Sequence, residues 1–193
     1  MQMSEHSSFD RPSFIVDGKV YVSAGVLVYT IDQSTIWCLL QHITDITDIA
    51  WDYQGQKWEW EDFGGKSEHT DQNIKDVAFR ECSEETNGVL TREFLDACYS
   101  DSKSFQIRVP EYKYIVYVIY VPPSKLSEWN CHSTNIFGDT EQSTGIKRII
   151  RWITYAEVIN HHQNKRLHPR MTPVIDILIL KMAMAIKNIT TNK

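Results

Sequence analysis

A chain of 193 residues with 42% hydrophobic content is long enough to bury one substantial core, and it gives no compositional sign of a second domain. The net charge of −5 argues against nonspecific nucleic-acid binding as the main activity, although it leaves room for a local basic patch. Cys38, Cys82, Cys98 and Cys131 are scattered with no C-x-x-C pair, which argues against zinc and against a disulfide framework and favours reduced thiols.

The start of the chain is polar and has no basic region followed by an apolar one, so no signal peptide is read there. Residues 1–18, punctuated by Pro12 and Gly18, are expected to be a flexible N-terminal segment, with a single domain over 19–193. Residues 20–29 form a β-branched and aromatic run, a buried strand in which Gly25 marks a bulge or a close backbone approach. After an Asp32-Gln33-Ser34 turn, residues 35–42 give a second strand and hence a hairpin. Residues 43–56, with Asp45, Asp48 and Asp52, read as an exposed loop. Trp58-Glu59-Trp60-Glu61 alternates apolar with charged, predicting a short strand that leads into a glycine loop at Gly64-Gly65.

A helix follows. Ile74, Val77, Ala78 and Cys82 recur at helical spacing and define an apolar face, and Asn87-Gly88 supplies a left-handed stop. On the same helical wheel, Glu81, Glu84 and Glu85 fall on that apolar face rather than on the solvated side. Like charges at i, i+3 and i+4 repel, and carboxylates leaving water need a partner. A hard divalent cation held by carboxylate oxygens would resolve both problems. An acidic solvated helix face is the plainer reading, and the shared apolar face weighs against it.

Residues 92–104 are ambiguous. Residues 112–121 are the strongest strand in the chain, ended by Pro122-Pro123. A polar loop over 124–145 is long enough to act as a substrate lid or specificity loop. Residues 146–153 read as a strand, 155–159 as the start of a short helix, and 174–187 as a largely apolar C-terminal helix. Asp176 and Lys181 interrupt that last segment, which is too short to span a bilayer, so the sequence predicts a soluble cytoplasmic protein. Between residues 147 and 170 the cations Lys147, Arg148, Arg151, Lys165, Arg166 and Arg170 face only one acid, Glu157. That stretch is either a solvated surface or a patch facing phosphate or RNA. The pair His161-His162 has no further spaced ligands and is a poor metal signal.

The run from Gly65 to Gly88 resembles the Nudix box, G-x5-E-x7-R-E-U-x-E-E-x-G-U with U apolar. Arg80-Glu81-Cys82-Ser83-Glu84-Glu85 matches the core of that motif in full. Asp71 stands where the family has Glu, one extra residue precedes Arg80, and Asn87 stands where Gly is expected, with Gly88 next to it. The resemblance implies a Nudix-type α/β/α sandwich with a mixed sheet, binding Mg²⁺ or Mn²⁺ and hydrolysing a nucleoside diphosphate linked to another group. It carries over Glu81, Glu84 and Glu85 as metal ligands with the Gly65 carbonyl, Arg80 as the residue holding a glutamate in place, and Asp71 as a cap or brace at the loop–helix junction. Its general base is a box glutamate, Glu84 or Glu85, or an acid from a later loop, for which Glu141 is the candidate. Trp58, Trp60, Phe63 and Trp129 are candidates to stack a nucleobase, although Trp58 and Trp60 serve equally well as core.

Three functions follow as expectations. The first is metal-dependent hydrolysis of a pyrophosphate bond in a nucleotide or nucleoside-diphosphate derivative. The second is removal of the mRNA 5′ cap, with residues 147–170 tracking RNA. The third is a binding module of the same fold that has lost catalysis, against which the complete glutamate triplet stands.

Overall fold

The computed structural model describes residues 11–44, 58–129 and 136–191, with side chains described through residue 181. Strands β1 (Phe14–Val16) and β2 (Lys19–Tyr21) form a small antiparallel hairpin closed by Asp17 and Gly18, both at positive φ. Part of the leading segment is therefore a strand, and residues 1–10 lie outside the described residues. Strand β3 (Ser23–Asp32) starts after Val22, so the expected single strand over 20–29 is divided between two sheets. It turns through Gln33 and Ser34, with φ of 45° and 69°, into β4 (Thr35–Ile43). Both left-handed residues suit the right-handed strand twist, so a two-residue hairpin forms where the sequence predicts one.

Trp60 and Glu61 make only isolated bridges, to Leu167 and Gln41, and the strand proper begins later as β5 (Phe63–Lys66). The glycine pair thus lies in a strand, where a loop was expected. The reason is a close approach. β5 pairs antiparallel with the first half of β3, setting Gly64 opposite Gly25. The Tyr114 hydroxyl passes between them to donate to Asp62 Oδ2 at 2.9 Å, and a Cβ on Gly25 or Gly64 would lie 1.9 or 2.1 Å from the tyrosine oxygen. Only glycine leaves the space.

Helix α1 (Ile74–Glu85) follows, capped by Asn73, whose side chain accepts from the Lys75 and Asp76 amides. The ambiguous stretch resolves into α2 (Arg92–Tyr99), capped by Thr91, and then β6 (Phe105–Val109). A 3₁₀ turn at Pro110–Tyr112 leads to β7 (Tyr114–Tyr120), and α3 (Ser124–Glu128) opens the expected long loop. Residues 130–135 of that loop, including Cys131, lie outside the described residues, as do 45–57 of the earlier loop. The chain ends with β8 (Arg148–Thr154), α4 (Tyr155–Gln163) and α5 (Met171–Thr191), which starts earlier than expected because Pro173 fits its first turn.

The main sheet runs β6-β7-β3-β4-β8, with β5 on the same side of β3 as β4. Its β3–β7 pair is parallel and the other pairs are antiparallel, so the sheet is mixed. Strand alternation then builds two cores. Val26, Val28, Ile115 and Tyr117 meet Val77, Phe79 and Cys82 of α1 and Leu95 of α2. Leu27, Tyr29, Val116 and Val118 meet Val158 of α4 and Val174, Ile175 and Leu178 of α5. The result is the expected α/β/α sandwich with a mixed sheet. Among the described residues Cys38, Cys82 and Cys98 are free thiols, and no described helix is long and apolar enough to cross a membrane.

The connection from α4 to α5 carries a pH-sensitive group. His168 sits edge-on to Trp58 at 4.3 Å, and its Nδ1 accepts from the Arg170 amide at 3.2 Å. Burial, with the nearby Arg170 charge adding to it, holds its pKa down from 6.5 to about 2. The unfolded chain takes up a proton on this ring through weakly acidic pH and the folded chain does not, so stability falls as pH drops below about 6.5. Between about pH 7 and about pH 5.5 the loss is about 1 kcal/mol, and His168→Gln removes that part of the slope. Urea unfolding of both proteins at the two pH values measures it.

Candidate metal and catalytic site

The C-terminal half of α1 presents the three glutamates to the end of β5. Glu81 packs against the strand, where a Cβ on Gly65 would come within 2.5 Å of its carboxylate. A glycine there is what admits the acid. Arg80 organises the group from below. Its Nε and Nη2 donate to the two oxygens of Asp71 at 3.0 Å each, and Nη2 also donates to the Lys66 carbonyl at 3.0 Å. Its Nη1 reaches Glu81 Oε1 at 2.9 Å and Glu84 Oε2 at 3.0 Å. The planar fork suits this use, because one buried cation can hold one carboxylate bidentately and orient two more.

Asp71 reaches Arg80 with its shorter side chain and in turn accepts from the Glu68 amide at 2.7 Å. It braces the turn, and Asn73 is the helix cap. Burial pushes the Asp71 carboxyl up, but the Arg80 and Glu68 bonds outweigh it and leave it below its ordinary value. Glu81 is shifted the other way: burial raises it, Arg80 opposes, and Glu84 and Glu68 add to the rise.

Glu85 faces a different cation. Its Oε1 lies 2.9 Å from Arg148 Nη1, and its Oε2 accepts from Gln41 Nε2 at 2.9 Å. The same guanidinium donates through Nη2 to Glu141 Oε2 and through Nη1 to Gln41 Oε1. Gln41 Nε2 also donates to the Asp62 carbonyl at 3.0 Å, tying the cluster to the residue before β5. Burial raises Glu85 well above the usual carboxylate range, with Arg148 opposing and Glu61 adding to the rise. Glu141 is buried beside Arg148 at 4% exposure, so the loop that carries it is folded onto the helix bearing the other three acids.

The donor set is made of oxygens alone, which suits Mg²⁺ or Mn²⁺ and not a soft metal. Glu81 and Glu84 are held side by side by one guanidinium nitrogen, Glu81 next to the Gly65 backbone, and that arrangement fits a cation that keeps most of its waters. Among the described residues no three acidic, His or Cys side chains close into a cation cage, since Glu84 is turned to Arg80 and Glu85 to Arg148.

Several expectations change here. Arg148, counted in the basic stretch as either solvated or facing phosphate or RNA, is buried at 3% exposure. Arg170 is likewise tied up, donating to Asp62 Oδ1 at 3.0 Å and Glu61 Oε2 at 3.2 Å, with its guanidinium 4.6 Å from the centre of the Tyr114 ring. Lys147, Arg151, Lys165 and Arg166 stay exposed, with Arg166 near Glu59 and Arg151 over Trp60. Of the aromatics considered for stacking a base, Trp60, Phe63 and Trp129 are buried in the cores and Trp58 is half-buried against His168. In the sequence Gln41 is unmarked, Asn87 stands out only as a helix stop and a departure from the motif's glycine, and Arg148 only as one cation of the basic stretch. Strand parity could have found the first and last, since Gln41 lies on the side of Leu39, and Arg148 on that of Ile150 and Trp152.

No family model matches the sequence, and no curated protein matches it. Among solved structures, the chain is similar to an Ap4A hydrolase of C. elegans in a binary complex, with 15% identity and a TM-score of 0.47 over 83% of this chain and 96% of that one. It is similar to a mutT/nudix family protein from Listeria innocua, with 18% identity and a TM-score of 0.42 over 89% and 96%. A third likeness is to the NUDIX domain of Shewanella oneidensis NrtR complexed with ADP ribose, with 12% identity and a TM-score of 0.40 over 72% and 76%.

Proposed function

We propose that the protein is a Nudix hydrolase that cleaves a pyrophosphate bond in a nucleotide or nucleoside-diphosphate-linked substrate by water attack at phosphorus. The observation that carries this reading is the pinning of Glu81 and Glu84 by Arg80, itself anchored bidentately on buried Asp71. A helix face built only for packing has no use for three carboxylates held together by internal cations. Glu81, Glu84 and Glu85, with the Gly65 carbonyl, would hold Mg²⁺ or Mn²⁺. When bound, such a cation neutralises charge on the phosphates and lowers the pKa of water.

The chain's own residues supply position and proton transfer. Arg80 touches no substrate and fixes the direction of Glu81 and Glu84. Glu141 is the acid from outside α1 that shares a cation with a box glutamate, and we assign it to take the proton of the attacking water. Exposed Lys147, Arg151, Lys165 and Arg166 leave only four of the six cations of the basic stretch to meet a long polyanion.

The test is a substrate panel with Mg²⁺ and with Mn²⁺, with the phosphate products identified. Nucleoside triphosphates, ADP-ribose, a dinucleoside polyphosphate, a free cap analogue and capped RNA make up the panel. Cleavage at a phosphoanhydride that stops on chelation is expected. Cap cleavage that needs RNA length and falls steeply with salt would make the protein a decapping enzyme. No turnover on any member, together with a rise in melting temperature on adding one of them, would overturn catalysis in favour of a binding module.

A further inference from the structure

Asn87 stands where the resembled motif has glycine, two residues after Glu85. Its backbone takes the left-handed conformation, φ 51°, and Gly88 follows at φ 77°. The Asn87 and Gly88 amides close the end of α1 on the Glu84 and Ser83 carbonyls at 3.0 and 2.7 Å. Glycine would serve that backbone at least as well, so the backbone gives no reason for a side chain here.

The side chain has its own partners. Nδ2 donates to the Phe137 carbonyl at 2.7 Å and to the Thr140 carbonyl at 2.9 Å, and Oδ1 accepts from the Gln142 amide at 2.9 Å. Three of its four hydrogen-bonding positions are spent on one segment fifty residues away. That segment wraps tightly: a Cβ on Gly138, which has φ 73°, would come within 3.1 Å of Asn87 Nδ2. It is closed at its far end by the Glu141 and Gly145 amides on the Ile146 and Glu141 carbonyls, and by the Arg148 amide on the Asp139 carbonyl. In the middle of it is Glu141, whose carboxylate meets Arg148 and, through that guanidinium, Glu85.

We propose that Asn87 is a positioning residue for Glu141: it clamps the 137–142 loop to the end of α1 and so sets the loop glutamate at a fixed place relative to the box glutamates. The inference rests on the hydrolase reading given above. It goes further by assigning a task to the motif's departure from glycine and by making the site one unit of helix end and loop. A side-chain amide suits the task because it offers two donors and an acceptor at once without adding charge next to Glu85. Aspartate offers no donor, and glycine nothing.

The experiment compares Asn87→Gly, Asn87→Asp, Glu141→Gln and the double variant Asn87→Gly with Glu141→Gln, all in the full chain. Hydrogen exchange of the 138–146 amides reads the clamp directly. Exchange there is expected to rise at least about tenfold in Asn87→Gly while α1 stays protected. On the best substrate from the panel, kcat is expected to fall by about 10- to 100-fold in Asn87→Gly, with KM changed less than about twofold. In the double variant the loss should equal that of Glu141→Gln alone, because a clamp has nothing left to position. Losses that multiply would show a merely structural role and overturn the proposal, as would full activity in Glu141→Gln or unchanged loop exchange. If Asn87→Gly fails to fold, Asn87→Asp keeps the left-handed preference and the bond from the Gln142 amide, and the same readings apply to it. A wild-type chain that hydrolyses nothing defeats the hydrolase reading and is distinct from an unchanged exchange pattern, which defeats the clamp.

Discussion

Glu84→Gln lowers kcat on any substrate of this protein by about 10²- to 10³-fold, and the fold survives. The size follows from what the carboxylate is asked to do. Glu84 is the most open of the three box glutamates, with its side chain 42% exposed, and one of its oxygens is held 3.0 Å from Arg80 Nη1. That is the geometry of a group directed at something outside the protein by a residue inside it. Replacing one charged oxygen with an amide keeps the shape and removes the charge a divalent cation needs. An exposed, isosteric change of this kind moves stability by less than about 0.5 kcal/mol. Turnover and thermal melting measured on one preparation separate the two effects, and Mn²⁺ affinity by calorimetry gives a reading that does not depend on turnover. Wild-type turnover in Glu84→Gln would remove Glu84 from the site. Wild-type Mn²⁺ affinity in the same variant would remove it from the metal.

The helix end of this site was readable because its chemistry contradicts its setting. On the wheel Glu81, Glu84 and Glu85 recur with Ile74, Val77 and Cys82, and acids on an apolar face require an explanation that one-dimensional pattern can demand. In the fold Glu85 is buried on that face, Glu81 is half-buried and Glu84 lies at its exposed edge. The β3–β4 hairpin and the strong β7 strand were readable for a similar reason, since turn chemistry and β-branched runs are local. The glycine strand was not. Gly64 and Gly25 are glycines because Tyr114, far along the chain, puts its hydroxyl between them, and no local pattern marks that contact. The basic stretch misled in the opposite direction. Arg148 and Arg170 share a segment with exposed cations but not their surroundings. In the fold each arginine reaches acids supplied by other elements: Glu85 and Glu141 in one case, Glu61 and Asp62 in the other. Asn87 belongs to both classes: its stop signal was visible, and its three side-chain bonds were not.

Removing the buried guanidinium that joins the two halves of the site gives the largest expected loss of stability. Arg148→Met leaves Glu85 and Glu141 buried without their shared cation and Gln41 Oε1 without its donor. Taking one partner out of a buried ion pair costs about 3–5 kcal/mol, since the remaining charge stays out of water. In a chain of this size that corresponds to a fall of roughly 10 °C in melting temperature. The loss should depend on pH with a definite sign. Burial already holds Glu85 above the usual carboxylate range against the opposing pull of Arg148, so removing the arginine raises it further. A carboxyl whose folded pKa exceeds its unfolded one contributes stability when protonated and loses it as pH rises through the folded value. The gap between Arg148→Met and wild type therefore narrows on acidification and widens towards alkaline pH. Adding Glu141→Gln to Arg148→Met should recover part of the loss, because an amide needs no counter-charge. Melting curves of the three proteins across that range read both effects. An Arg148→Met variant as stable as wild type, or one whose deficit grows on acidification, would mean that Arg148 is not the cation neutralising Glu85 and Glu141.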